Sequence, residues 1–215
     1  MIRENVSHGN SLNEGKKKIG FKVYELICQK LFNGADEEYA FGHLFLVLQW
    51  TLMARSENVA NCHAENITWH DDALCFNFPK TKCDQKGKRS HALWHVYATP
   101  NNPVTRPILS LAHFLFLNPG TLSKHHRKAA TSVSANGYSK LFEGSSQYSR
   151  FSNILKKVII EHEDEFRKMG VEEKDMGSHS ARKGACSHAL AGSTVAPPIV
   201  SICLRAMWSM GSVKE

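Results

Sequence analysis

Long apolar runs are missing from this 215-residue sequence. Nothing in it approaches the roughly 18 consecutive apolar residues needed to span a bilayer. Its opening, MIRENVSHGN, has no apolar segment of the kind a secretory signal needs, so an intracellular protein is expected, nuclear if eukaryotic. CxxC spacing is missing too. Six cysteines (Cys28, Cys62, Cys75, Cys83, Cys186 and Cys203) are scattered, which suits reduced thiols better than a disulfide framework or a structural zinc site. The sequon Asn66-Ile67-Thr68 reads as chance without a secretory route. Acidic residues are in short supply: 20 Asp and Glu face 27 Lys and Arg, giving a net charge of +7 and a pI of about 9.1. A cationic surplus of this size favours a polyanionic partner, because each neutralised phosphate releases counterions.

What is present reads as a mainly helical domain with one small sheet. Residues 1–15 are polar and rich in Gly, Asn and Ser, a tail or linker. After Lys16-Lys17-Lys18, the spacing of Val23, Leu26, Ile27 and Leu31 predicts a helix that stops at Gly34. Asp36 can cap the next one. Residues 39–53 are apolar almost all round, the pattern of a buried helix. The period then changes to two. Leu74, Phe76 and Phe78 alternate after an Asp71-Asp72 turn, and a second alternating run covers His91 to Tyr97. Between them Pro79 to Ser90 forms a basic loop with Lys80, Lys82, Lys86, Lys88 and Arg89. Pro107 suits the first turn of a helix through Leu117. Residues 120–147, with Lys124, Arg127 and Lys128, lack periodicity and are expected to form a surface loop. Phe151, Ile154, Leu155, Val158, Ile159 and Phe166 form an amphipathic stripe ending at Gly170. A helix from about Ser178 to Ala191 closes at Gly192, and a last one begins near Pro197-Pro198.

Four pieces matter through their order. Arg55 ends the buried apolar stretch, where a cation also suits a helix C-terminus. Lys82 lies in Pro79-Lys80-Thr81-Lys82, although charges there could equally guard a sheet edge. His179-Ser180-Ala181-Arg182 puts an imidazole and a guanidinium three apart at a helix start. Trp208 follows in Ala206-Met207-Trp208-Ser209, and a lone Trp is commonly core.

In that order, this set resembles the tyrosine recombinases of the phage-integrase family. Ser178-His179-Ser180-Ala181-Arg182-Lys183-Gly184-Ala185 is similar to the family's His-x-x-Arg helix. The Crypton transposon group is closer still. Strings similar to its own are Arg55-Ser56-Glu57-Asn58-Val59, Lys80-Thr81-Lys82-Cys83-Asp84, His95-Val96-Tyr97-Ala98-Thr99-Pro100 and Trp208-Ser209-Met210-Gly211. The resemblance covers about residues 16–215 and implies a catalytic, DNA breaking-and-rejoining domain of α+β class, incomplete at its C-terminus.

The resemblance implies a chemistry that these residue types suit. Arg55 and Arg182 would offer paired N–H donors to the transferring phosphate. Lys82 would protonate the leaving oxygen, with Lys80 the competing candidate. His179 would orient the phosphate or take the nucleophile's proton, and the Trp208 indole would donate to a phosphate oxygen. Lys80, Lys86, Lys88, Arg89, Lys124, Arg127, Lys128 and Lys183 would contact DNA. No metal or cofactor is expected. The family's nucleophile is a tyrosine that forms a 3′-phosphotyrosine link, and the resemblance places it after Glu215; Tyr138 and Tyr148 precede the His-x-x-Arg helix. Asn58 stands where many members carry an acidic residue. The implied partners are double-stranded DNA and, in a complete protein, further copies on DNA, with no membrane. Two rivals stand beside this reading: a domesticated, non-catalytic DNA-binding or chromatin-interaction module, and a type IB topoisomerase, whose extra domains are missing here.

Overall fold

The computed structural model describes residues 16–78, 93–98, 101–122, 140–192 and 195–208. These form eight α-helices and a three-stranded antiparallel sheet: α1 Phe21–Phe32, α2 Glu37–Thr51, α3 Ser56–Ala60, β1 Ile67–His70, β2 Ala73–Phe76, β3 Trp94–Val96, α4 Pro107–Leu117, α5 Gln147–Glu161, α6 Glu163–Lys168, α7 Ser180–Ala191 and α8 Ile199–Arg205. The expected class, mainly α with a small antiparallel sheet, is what is found.

α2 is the hub, touching α1, α4, α5 and α7. Asp36 caps it by accepting the Tyr39 N–H at 2.9 Å. Every residue from Ala40 to Trp50 is buried, so this helix has no solvent face. Gly42 permits the close approach of α5: a Cβ there would meet Ile154 Cγ2 at 2.8 Å. Phe45 stacks on Phe151 with ring centroids 4.5 Å apart, and Phe142 meets Phe41 edge-on at 5.0 Å. The amphipathic stripe of α5 faces this cluster, and the Gly170 backbone is left-handed (φ 73°), as a helix stop requires.

The structure departs from the sequence expectations in four places. A strand precedes Asp71-Asp72 where no alternation predicts one: β1 pairs with β2 from Ile67↔Phe76 to His70↔Ala73, around a two-residue turn with Asp71 left-handed. Residues 140–147 are not surface loop throughout. Leu141 and Phe142 are fully buried, and the Leu141 N–H donates to the Cys62 carbonyl at 2.8 Å. The stripe predicted as one helix is broken at His162 into α5 and α6. Finally, α2 ends at Thr51, and Met53 turns the chain through the left-handed region (φ 50°). Arg55 is therefore not a helix C-terminal cation; it is the extended N-cap residue of α3.

Candidate functional site

The sequence candidates that lie among the described residues gather where the ends of α2, α7 and α8 meet. Their neighbours in the chain are bonded to one another. Gln49, fully buried on α2, donates from Nε2 to Ser56 Oγ at 2.7 Å and to the Ser178 carbonyl. Ser56 Oγ donates to that same carbonyl at 3.0 Å. The residue after Arg55 is thus tied to the residue before His179. Asn58 then donates from Nδ2 to Met207 Sδ at 3.5 Å, linking α3 to the residue before Trp208.

Arg182 is only 7% exposed. One guanidinium nitrogen donates to the Ala206 carbonyl, and Cζ lies 5.5 Å from the centre of the Trp208 ring. A cation over an indole face is attracted by the ring quadrupole. Trp208 itself is 41% exposed, so it is not the core residue that a lone Trp suggests. His179, exposed, is the N-cap of α7, and its ring centre lies 6.5 Å from that of Tyr148. Arg55 is half-buried. Lys183 is exposed and donates from Nζ to the Lys16 carbonyl at 2.8 Å. Lys80, Lys82, Lys86, Lys88, Arg89, Lys124, Arg127 and Lys128 lie outside the described residues.

Two residues that hold this corner together are not marked by the sequence motifs. Gln49 is a lone amide in Leu44–Trp50, and a buried amide must find partners, which is the signal that could have found it. Arg205 gives no such signal. It closes α8 like an ordinary last-turn cation, yet donates from Nε and Nη2 to the Thr51 carbonyl at 3.2 and 2.9 Å and from Nη2 to the His95 carbonyl at 3.1 Å. The Trp94 indole returns a bond to the Arg205 carbonyl at 2.9 Å. Burial pulls the Arg205 guanidinium below its ordinary pKa. This one side chain pins the end of α8 to both α2 and β3.

The arrangement can present guanidinium, imidazole and indole N–H groups from one corner, a donor set suited to a phosphate or another oxyanion. No protein-family model matches the sequence, and no curated protein does. Solved structures match the fold. A FLP recombinase–Holliday junction complex aligns over 98% of this chain and 47% of its own, with a TM-score of 0.59 and 12% identity. An Flpe–Holliday junction complex aligns over 90% of this chain and 44% of its own, at TM-score 0.62 and 11% identity. The XerH site-specific recombinase bound to difH substrate, a pre-cleavage complex, aligns over 90% of this chain and 47% of its own, at TM-score 0.56 and 10% identity. The chain spans a little under half the length of each of these. At such low identity the likeness concerns architecture, and the helices and three-stranded sheet of this chain have the tyrosine-recombinase fold.

Proposed function

We propose that residues 16–215 form a DNA-binding recombinase or integrase-like domain, closest in kind to the Crypton transposon group, that holds a phosphodiester for strand transfer. Arg55 and Arg182 clamp the phosphate, His179 orients it, Trp208 borders it, and Lys82, with Lys80 as its rival, supplies the leaving group's proton. The observation that carries this is the set of bonds Ser56–Ser178, Asn58–Met207 and Arg182–Ala206, which bring segments distant in the chain together in the order the resemblance requires. Double-stranded DNA is the proposed partner, and an intracellular, nuclear setting goes with it.

None of the five tyrosines follows Trp208; all precede His179. Residues 16–215 taken by themselves are therefore expected to make no covalent link to DNA. A phosphate clamp lowers the barrier only for a nucleophile held in line, and positioning one within the same molecule is worth roughly 7–11 kcal/mol. A nicked suicide duplex tests this in two steps. Wild-type chain alone should yield no denaturation-resistant adduct. Adding a small phenol at high concentration should then give slow strand cleavage with the phenol on the 3′ phosphate, abolished by Arg182→Gln. An adduct from the chain alone would overturn the nucleophile assignment. Duplex binding without any phenol-dependent cleavage would instead favour the non-catalytic DNA-binding module, a reading to which the tyrosine order also points.

A further inference from the structure

Lys16-Lys17-Lys18 does not trail away from the domain. The strap lies along the start of α7: the Lys17 N–H donates to the Asp175 carbonyl at 2.8 Å and the Ile19 N–H to the Ser180 carbonyl at 3.1 Å. Gly184 makes room for it, since a Cβ there would press on the Ile19 main chain and come within 2.8 Å of Trp50 Cζ3. Strap and helix together border an open groove of about 760 Å³, lined by Lys16, Lys17, Lys18, Lys183, Leu190 and Trp208 among others.

The charge in this groove is largely unmatched. Of its four lysines, only Lys17 meets a carboxylate among the described residues, Asp175 at 3.0 Å. Lys16 and Lys183 donate instead to main-chain carbonyls of Lys174 and Lys16, which fix the ammonium groups without neutralising them. Crowding like charges costs free energy unless a counter-charge arrives. The groove is far larger than one phosphate needs, and it runs up to Trp208, whose ring Arg182 overlies.

We propose that this groove seats the duplex sugar–phosphate backbone flanking the phosphate held by Arg182, so that the Lys16–Lys18 strap is a DNA-contacting element of the domain. The inference rests on the proposed function. A polyanionic rod, not an acidic peptide or a lipid surface, is the occupant because the groove reaches Trp208, which Arg182 overlies at the proposed phosphate corner, and carries four lysines on the strap and α7. The strap's fixed backbone places them before the partner arrives, and point-like ammonium groups suit phosphates contacted without base reading.

The test is duplex binding by fluorescence anisotropy as a function of salt, comparing wild type with the Lys18→Gln, Lys183→Gln double variant. Each phosphate that the variant no longer neutralises should flatten the log–log slope by about 0.9, so the double variant should be shallower by about 2, with an unchanged thermal transition. Amine acylation of the unaltered chain supplies a second measurement, with Lys18 and Lys183 protected by duplex. An unchanged slope together with undiminished acylation would overturn the groove while leaving the DNA reading intact. Wild type that binds no duplex at low salt would overturn both. Loss of binding to polyglutamate or to phosphatidylserine vesicles, with duplex binding unaffected, would assign the groove to another partner and overturn the proposal.

Discussion

α2 and α8 are both apolar in sequence, yet they are held in place by opposite means. Along α2 each residue from Ala40 to Trp50 is buried against α1, α4, α5 and α7, with rings stacked on rings. On α8 only Ile202 is buried, in a small cluster with Cys186 and Ala206, while Ile199, Val200 and Leu204 face solvent. Polar bonds hold α8 instead: Arg182 to Ala206, Arg205 to Thr51 and His95, and Trp94 to Arg205. Dispersion and burial are non-directional and accumulate over area, whereas hydrogen bonds fix a few atoms closely for little net stability. The molecule thus has a dry half that sets the fold and a latched half that carries the candidate site.

The contrast breaks first in the dry half. Phe45→Ala should cost about 3–5 kcal/mol, because the emptied space is walled by Phe151, Phe41 and Phe142, which cannot all collapse into it. Urea unfolding monitored by circular dichroism should show the midpoint fall with an unchanged slope.

Acid reaches the same half by another route. His43 is fully buried on α2, with Nε2 2.7 Å from the Val104 carbonyl and Nδ1 2.9 Å from Ser110 Oγ, so the neutral ring donates to the first and accepts from the second. Burial lowers its pKa from 6.5 to about 4. Between those values the unfolded chain binds the proton and the folded one does not. The stabilisation is therefore complete above pH 6.5 and lost as pH falls towards 4, by about 3 kcal/mol over the window. Unfolding free energies measured at pH 7, 5.5 and 4.5 should decline on this account, and His43→Gln should flatten that decline.

A smaller effect is expected at the latch. Arg205→Met should cost about 2–3 kcal/mol, since the change strands the Thr51 and His95 carbonyls. Hydrogen exchange should show the loss concentrated in α8 and β3, where Phe45→Ala spreads it through the core.

The dry half is the legible one. A 15-residue stretch apolar almost all round reads as a buried helix, and Asp36, Pro107 and Gly170 act on their own neighbours, so their roles are readable locally. Leu141 and Phe142 are hidden in polar sequence because their burial depends on Phe41, Phe114 and Cys62, distant in the chain. β1 is hidden because Thr68, Trp69 and His70 are exposed, leaving no apolar alternation to read. The candidates Arg55, His179, Arg182 and Trp208 emerge from order and resemblance. The bonds that gather them involve Gln49, Ser56 and Arg205, whose partners no periodicity reveals.

The smallest expected effect lies within the corner itself. Asn58 donates its amide to a thioether, a weak acceptor. Asn58→Ala should lower stability by about 1 kcal/mol or less. Differential scanning calorimetry on the pair of proteins would measure it.

Arg205 also sets a sequence of events in time. Its partners Thr51 and His95 lie 154 and 110 residues away along the chain, so its bonds close long loops. Closing loops of that length demands entropy before any contact rewards it, and such contacts form after the nucleus. α2 with α1, joined by a short turn, can assemble early; the Arg205 bonds can close only once the β3 strand is in position. In stopped-flow experiments Arg205→Met should speed unfolding while leaving the folding rate nearly unchanged. A nascent chain would then acquire its core well before its candidate phosphate corner.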